Sequence, residues 1–189
     1  GSEMCIRDST MTNLGTLTGG SEISTANDVS SDGSVIVGYS DSTDGKRAYK
    51  YVDGTMTSLG ILAGGSSISL AYAVSSDGSV IVGYSDSTDG NRAFKYVDGT
   101  MTSLGVLPGG IRSYARGISS DGSVIVGNSY SIATENRAFK YVDGTMTNLG
   151  ALEGSNENGY GSYAQSASSD GSVIVGYSDS TDGRRAVKY

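Results

Sequence analysis

Paired carboxylates with neighbouring hydroxyls are the residues of this sequence best suited to hold a metal. The pattern Asp-Ser-Thr-Asp-Gly occurs at Asp41–Gly45, Asp86–Gly90 and Asp179–Gly183. Oxygen ligands of this kind suit a hard cation such as Ca²⁺. Each loop offers only two carboxylates, however, an EF-hand would need more acidic ligands and a distant Glu, and the corresponding stretch Tyr130–Glu135 lacks the pattern. We therefore expect no cofactor, with calcium as the minor alternative.

Two further sets of aspartates precede glycine, and their positions predict turns and not catalytic or metal-binding sites. They are Asp32, Asp77, Asp121 and Asp170 in Ser-Asp-Gly-Ser, and Asp53, Asp98 and Asp143 in Val-Asp-Gly-Thr. Asp-Gly is a favoured pair in two-residue hairpin turns, so turn geometry explains both sets.

Groups for catalysis are scarce. The chain has no His, one Cys at position 5, and no nucleophile elbow, P-loop or dinucleotide fingerprint. A glycosidase-like hydrolase would need two oriented carboxylates at the centre of the fold, and no pair is singled out. The sequence predicts a protein that is not an enzyme.

The chain is built from four repeats, which must position any site. Leu14, Leu59, Leu104 and Leu149, each followed by Gly, recur at intervals of 45 residues. The Arg-Ala pairs that begin at Arg47, Arg92, Arg137 and Arg185 keep nearly the same spacing. Insertions therefore fall in loops, and we expect the repeated arginines to tie neighbouring repeats to carboxylates.

Each repeat is expected to form four short strands. In the second repeat, the runs 71–75 and 79–84 flank Asp77-Gly78, and the runs 92–97 and 100–104 flank Asp98-Gly99. No segment has the apolar spacing of a helix. Four antiparallel strands in a repeat of this length are typical of a propeller blade. The sequence predicts an all-β fold, a four-bladed β-propeller of four-stranded antiparallel blades.

The phase of the repeats indicates how the ring would close. The chain begins with a fourth strand at 10–14 and ends with a third strand at 185–189, so one blade is expected to form from the N- and C-terminal strands. This favours a monomer. The alternatives are a dimer that forms a larger ring and an open array that closes only by oligomerising.

Residues 1–9 break the repeat pattern, and we interpret them as a non-native leader without fixed structure. Gly1-Ser2 looks like a protease-cleavage scar, and the stretch after it resembles adapter-derived peptide at the ends of metagenomic reading frames. The natural protein is therefore expected to extend further. Residues 10–189 are interpreted as a single propeller domain.

The composition limits the partners. The formal net charge of −7 has the wrong sign for tracking nucleic acid or an anionic bilayer, and no apolar run is long enough to span a membrane. We expect no nucleic-acid partner and no membrane insertion.

Ligand-binding candidates lie where the repeats differ, because a position that the architecture requires should recur. The segments leading into the first strand vary most. Just inside that strand, after a constant Ala, four different residues occupy one position. The candidates are Asn27, Tyr72, Arg112, Tyr114, Arg116, Tyr160, Tyr163 and Gln165. Tyr stacking and Arg hydrogen bonds could together form a shallow glycan or peptide site. Variable solvated loops are the alternative explanation.

The segments RAFKYVDGTMTSLGVLPGG and YARGISSDGSVIVG resemble the HAF-type extracellular repeats of bacterial surface and autotransporter-like proteins. The resemblance covers residues 10–189, although Lys95-Tyr96 stands where family members often carry Trp. It implies an extracellular or cell-surface location and a structural or adhesive role, without catalytic residues.

We therefore expect a non-catalytic module that binds a glycan or a surface protein through its variable loops. The alternative is a purely structural repeat or spacer of a larger surface protein.

Overall fold

The computed structural model describes residues 11–21, 23–153 and 161–189, and these residues form fifteen β-strands and no helix. The predicted leader 1–9 lies outside them. The strands form four antiparallel sheets, each with its strands in chain order. The predicted all-β propeller architecture is confirmed.

The strand bounds follow the repeats. The first sheet comprises β1 (Ser24–Val29), β2 (Ile36–Ser42), β3 (Gly45–Val52) and β4 (Thr55–Gly60). The second comprises β5 (Ser69–Val74), β6 (Ile81–Ser85), β7 (Arg92–Val97) and β8 (Thr100–Ser103). The third comprises β9 (Arg112–Ile118), β10 (Ile125–Ser131), β11 (Glu135–Val142) and β12 (Thr145–Asn148). The fourth comprises β13 (Ser162–Ala167), β14 (Ile174–Ser180) and β15 (Gly183–Lys188).

The fourth sheet corrects the predicted closure, because it has three strands and no N-terminal strand beside β15. Residues 11–16 belong to no strand, and residue 10 lies outside the described residues. Two hydrogen bonds connect this segment and the following Leu17 to the first sheet, as Gly60 and Leu62 are connected to the second. The Ser24 hydroxyl donates to the Gly15 carbonyl at 2.7 Å, and Leu17 N–H donates to the Ser40 hydroxyl at 3.0 Å. The segment thus occupies the place that each later linker occupies before its own sheet.

The Val-Asp-Gly-Thr turns are two-residue hairpin turns, as predicted. Val52 pairs with Thr55 across the first of them, and Val97 pairs with Thr100 across the second. Asp53, Asp98 and Asp143 have φ of 48°, 48° and 47°, and a glycine of positive φ follows each. Two successive left-handed residues define the type I′ turn, which matches the twist of the flanking strands.

The Ser-Asp-Gly-Ser turns differ from the prediction of a two-residue turn. The ladder between β5 and β6 ends at Val74 and Ile81, so six residues connect the strands. The Asp77 carboxylate closes this loop by accepting from the Ser75 hydroxyl at 2.6 Å and from Ser79 N–H at 3.0 Å. The side chain of this aspartate closes the turn, whereas the aspartates of the Val-Asp-Gly-Thr turns act through their backbone conformation.

Successive sheets pack face to face through small apolar residues. Between the first and second sheets, Val37 and Ala48 lie in one cluster with Ala71 and Val74. Strands of the second sheet pack on the third, and those of the third on the fourth. Among the described strands, no packing of comparable extent joins the fourth sheet to the first.

The repeated arginines also connect neighbouring sheets, although carbonyls and not the predicted carboxylates accept their hydrogen bonds. Arg47 Nη1 donates to the Ser67 carbonyl at 2.9 Å, and Arg92 Nη1 donates to the Ile111 carbonyl at 2.8 Å. Both acceptors lie in the segment that leads into the next sheet. A guanidinium with several donors can serve its own strand and that segment together.

Candidate binding site on the third repeat

The four variable positions of the first strand are all β-bulges. In the second sheet, Ala71 pairs with Gly83 and Ala73 with Val82, which leaves Tyr72 without a partner in the ladder. The same register shift isolates Asn27, Arg116 and Gln165. A bulge re-aims its side chain and frees it from cross-strand packing. This explains locally why the position can differ in every repeat.

A glycine opposite each bulge allows the two strands to approach. A Cβ added to Gly83 would collide with the Leu70 carbonyl oxygen, and one added to Gly127 would collide with that of Tyr114. A Cβ added to Gly38 or Gly176 would collide with a carbonyl oxygen of the first strand in the same way. The glycine that ends each Val-Ile-Val-Gly segment is therefore required by the bulge, and the residue at the bulge is not.

An aromatic cluster lies at the junction of the second and third sheets. The Tyr72 and Tyr84 rings stack with centroids 5.9 Å apart, and the Tyr114 ring meets Tyr84 edge-on at 4.9 Å. The Arg116 guanidinium lies 4.7 Å from the Tyr72 ring centroid and 5.6 Å from that of Tyr114. Three predicted residues, Tyr72, Tyr114 and Arg116, thus come together, and each cation–π contact contributes about 0.5–1 kcal/mol where it is partly exposed.

Tyr84 is the central ring of this cluster. Burial, reinforced by the neighbouring Tyr72 and Tyr114, raises its pKa to about 12. The phenol therefore stays neutral at physiological pH and acts as a packing surface and hydrogen-bonding group.

A groove of about 460 Å³ opens beside the cluster. Its lining residues are Ile111, Arg112, Tyr114, Tyr130, Ile132 and Asn136. They come from the start of β9, the end of β10 with its following loop, and the start of β11, so they share one end of the third sheet. Arg112 and Tyr114, both predicted, line this groove, and Tyr114 also joins it to the aromatic cluster.

Substitutions specific to the third repeat accompany the groove. Tyr130 stands where the other repeats have Asp41, Asp86 and Asp179. In the second repeat that carboxylate is fully used, since Asp86 accepts from the backbone N–H groups of Ser66, Ser67 and Ile68 at 2.9–3.2 Å. The change to Tyr removes this tie and supplies a ring to the groove.

Asn128 is the second such substitution, because the other repeats carry Tyr39, Tyr84 and Tyr177 at its position. It is buried, and its Nδ2 donates to Asn136 Oδ1 at 2.8 Å. The bond fixes the amide of Asn136, which lines the groove.

The other predicted residues do not join this site. Asn27 donates to the Ala71 carbonyl at 2.7 Å and so connects the first two sheets. Gln165 is exposed and lies in the fourth sheet. Tyr163 belongs to a separate cluster, and Tyr160 lies outside the described residues. The predicted convergence of all four bulge residues is therefore found only for Tyr72 and Arg116.

The separate cluster on the fourth sheet has similar chemistry. The Tyr163 and Tyr177 rings stack at 4.6 Å, and the Arg184 guanidinium lies 4.1 Å from the Tyr177 centroid. Arg184 Nε also pairs with Asp179 Oδ1 at 3.0 Å. Its cation is already neutralised, whereas no described carboxylate forms an ion pair with Arg112 or Arg116.

Sequence reasoning missed Tyr84, Tyr130 and Asn136. Tyr84 recurs in three repeats and was treated as architectural, and only the contacts reveal its role. Tyr130 could have been found, because it replaces a repeated Asp. Asn136 could not have been found in this way, because the second repeat also carries an Asn at that position, Asn91, while the first and fourth carry Lys46 and Arg184.

The loops considered for calcium place few carboxylates together. Within the described ranges, no group of three or more Asp, Glu, His or Cys side chains could hold a metal. In the first such loop, the Ser42 hydroxyl donates to the Gly45 carbonyl at 2.7 Å, so turn hydrogen bonds use this oxygen. Nor does the described part of the chain contain a helix that could cross a membrane.

No family model matches this sequence, and no curated protein matches it. Among solved structures, the chain is similar to a putative TolB from Agrobacterium tumefaciens, with 19% identity, a TM-score of 0.59, and coverage of 86% of this chain and 56% of that one. It is also similar to TolB from Acinetobacter baumannii, with 17% identity, a TM-score of 0.57, and coverage of 93% and 45%. The chain spans about half the length of these proteins. The likeness shows the fold alone, that of a β-propeller.

Proposed function

We propose that this chain is a non-catalytic binding module that recognises a protein partner through the groove of the third repeat. The observation that carries the proposal is the co-location of Arg112, Tyr114 and Tyr130 around a cavity found where the repeat pattern breaks. Tyr and Arg are enriched at the energetic centres of protein interfaces.

The rim of the groove favours a protein over a glycan. Ile111 and Ile132 flank it and are both exposed, Ile132 to 77%. When a peptide segment covers these isoleucines, they can exclude water from the contacts that Tyr and Arg make with it. The lining offers one guanidinium and no carboxylate, so the expected partner segment carries an acidic residue with apolar neighbours.

The location that goes with this function is extracellular or at the cell surface. Its support is the resemblance of residues 10–189 to HAF-type repeats. A binding face on one repeat and near-identical blades elsewhere fit an adhesive surface protein.

The second candidate is a structural spacer, and one observation favours it. The Ser-Asp-Gly-Ser-Val-Ile-Val-Gly segment is identical in all four repeats, as expected where a sequence serves only the architecture. Under this alternative the third repeat would bind nothing.

A displayed peptide library, selected on the wild-type chain, tests the proposal. We expect peptides with an acidic residue beside apolar ones, whose affinity falls at least 10-fold for Arg112→Ala and for Tyr130→Ala. The matched control is Arg184→Ala, which removes an arginine from the other Tyr/Arg cluster and should leave binding unchanged.

Three results would contradict the proposal. Equal loss in the Arg184→Ala control would place binding on the fourth sheet. A positive glycan array with no selected peptide would replace the protein partner with a sugar. Failure of both screens on folded protein would favour the spacer.

A further inference from the structure

The two ends of the sheet array carry the two halves of an interface that occurs three times inside the chain. One half is a Val and an Ala on the second and third strands, and the other is formed by residues of the next first strand. The internal contacts are Val37 and Ala48 with Ala71 and Val74, Val82 and Ala93 with Ala115 and Ile118, and Val126 and Ala138 with Ala164 and Ala167.

At the ends these halves are exposed. Val175 is 45% exposed, whereas its equivalents Val37 and Val82 are 0% exposed. On the first strand, Val29 is 50% exposed and its equivalent Val74 is 7% exposed. Ala186 and Ala26 are likewise exposed, and their counterparts in the interior interfaces are buried. Apolar side chains of matching size thus lie uncovered at both ends.

Hydrogen bonds between sheets give the array a direction. Ser31 N–H donates to the Ser76 carbonyl at 3.0 Å, Ser76 N–H to the Ser120 carbonyl at 2.9 Å, and Ser120 N–H to the Ser169 carbonyl at 3.0 Å. Within the described ranges, no backbone acceptor follows for Ser169 N–H and no backbone donor precedes the Ser31 carbonyl. The fourth sheet presents the unused donor and the first sheet the unused acceptor.

A second row of bonds has the same direction. Ala48, Ala93 and Ala138 each donate their N–H to a serine hydroxyl of the next sheet at 2.8–3.0 Å. Ser24 is the equivalent serine of the first sheet, and no described N–H donates to its hydroxyl. Ala186 is the equivalent donor of the fourth sheet. Both rows therefore match when a fourth sheet meets a first sheet.

We propose that copies of this chain associate head to tail, with the Val175–Ala186 face of one copy on the Ala26–Val29 face of another. The occupant is a second copy because the junction would repeat, residue for residue, an interface that the chain already forms three times. Such a contact joins different surfaces, so it generates a closed ring or a filament. Two copies joined at both ends would form a ring of eight sheets, within the roughly 4–8 blades usual for propellers. This inference does not depend on the binding groove.

Two single variants separate the two faces. Val29→Arg blocks the face of the first sheet, and Val175→Arg blocks the face of the fourth. Sedimentation velocity of the wild type should give dimers or longer assemblies of the 19.3 kDa chain. Each variant alone should be monomeric. An equimolar mixture should form a 1:1 dimer, because one unblocked face of each kind remains.

Ile132→Arg is the matched control, since it places a charge on an exposed isoleucine of the groove, away from both ends. It should associate like the wild type. Circular dichroism of each variant confirms folding.

Three results would overturn the proposal. The first is a folded wild type that remains monomeric at every concentration. The second is a single variant that still self-associates, which indicates a symmetric contact of like faces. The third is two monomeric variants that do not pair when mixed.

Discussion

The second and fourth sheets contain nearly the same residues in different surroundings. Both include Ile-Val-Gly-Tyr-Ser on their second strand and Arg-Ala on their third. In the second sheet Val82 and Ala93 are fully buried against the third sheet, while in the fourth sheet Val175 and Ala186 are exposed. The first three strands and the Ser-Asp-Gly-Ser turn are common to both sheets. Repeat sequence therefore determines the strands, and a neighbouring sheet determines which of their residues are buried.

A charge placed at Val82 and at its equivalent Val175 should give the largest difference between the two sheets. Val82→Asp buries a carboxylate without a partner, and we expect the free energy of unfolding to fall by about 4 kcal/mol. Val175→Asp should change it by less than about 0.5 kcal/mol, as is usual at exposed positions. Urea denaturation at low protein concentration measures both on the dissociated chain. Equal losses would show that the fourth sheet is covered.

Removing the arginine ties should give the next largest difference. Arg92 donates to the Ile111 carbonyl of the next sheet, so Arg92→Ala should cost about 1–2 kcal/mol of unfolding free energy. Among the described residues, Arg185 donates only to the adjacent Arg184 carbonyl. Arg185→Ala should therefore leave the denaturation midpoint nearly unchanged. A comparable fall in both midpoints would contradict the interpretation of these arginines as links between sheets.

The Ser-Asp-Gly-Ser turns should behave alike in both sheets, because their bonds are local. Hydrogen bonds from Ser75 and Ser79 lower the pKa of Asp77 to about 2, and those from Ser168 and Ser172 lower that of Asp170 to about 2. The folded pKa lies below the ordinary 3.8, so this stabilisation is present above that pH and is lost as pH falls from about 4 to about 2.

Asp77→Asn and Asp170→Asn should each flatten the acid limb of a plot of thermal midpoint against pH, and to the same degree. A larger effect in one sheet would indicate that its neighbour takes part in the turn.

The smallest expected effect is spectroscopic. The Tyr84 ring contacts those of Tyr72 and Tyr114, and burial is the main cause that raises its pKa to about 12. Burial also raises the pKa of Tyr49, Tyr163 and Tyr189, so tyrosinate absorbance should show several late-titrating groups and one fewer in Tyr84→Phe. Because the folded pKa is raised, the associated stability is present below about pH 10 and is lost towards pH 12. In Val82→Asp, Tyr84 should titrate nearer to pH 10.

Local features of the fold could be predicted from the sequence because they depend on near neighbours in the chain. Asp53-Gly54 and its equivalents specified type I′ turns, and strand alternation specified the blades. The fourth sheet differs from the predicted closure, since residues 11–16 form no strand and the sheet has three strands among the described residues. The order of the repeats indicates which strand of a blade comes next in the chain. It carries no information on which sheet that strand will contact.

The candidate site was predicted in part for a related reason. Variation between repeats identified Tyr72, Tyr114, Arg112 and Arg116, which the structure brings to one region. It also identified Asn27 and Gln165, which lie elsewhere. A residue that differs between repeats is free of an architectural role. Whether two such residues lie close together depends on the spacing and twist of neighbouring sheets, which the alternation of residues along a strand does not encode.

The bulge of each first strand has a consequence for protein engineering. Its glycine partner carries the steric demand, and the bulge residue itself ranges from Asn to Tyr, Arg and Gln without disturbing the register. These four positions therefore accept different side chains while the surrounding backbone stays the same. A combinatorial library randomised only there would retain the fold and sample new recognition surfaces, in the way that antibody loops vary on a fixed sandwich.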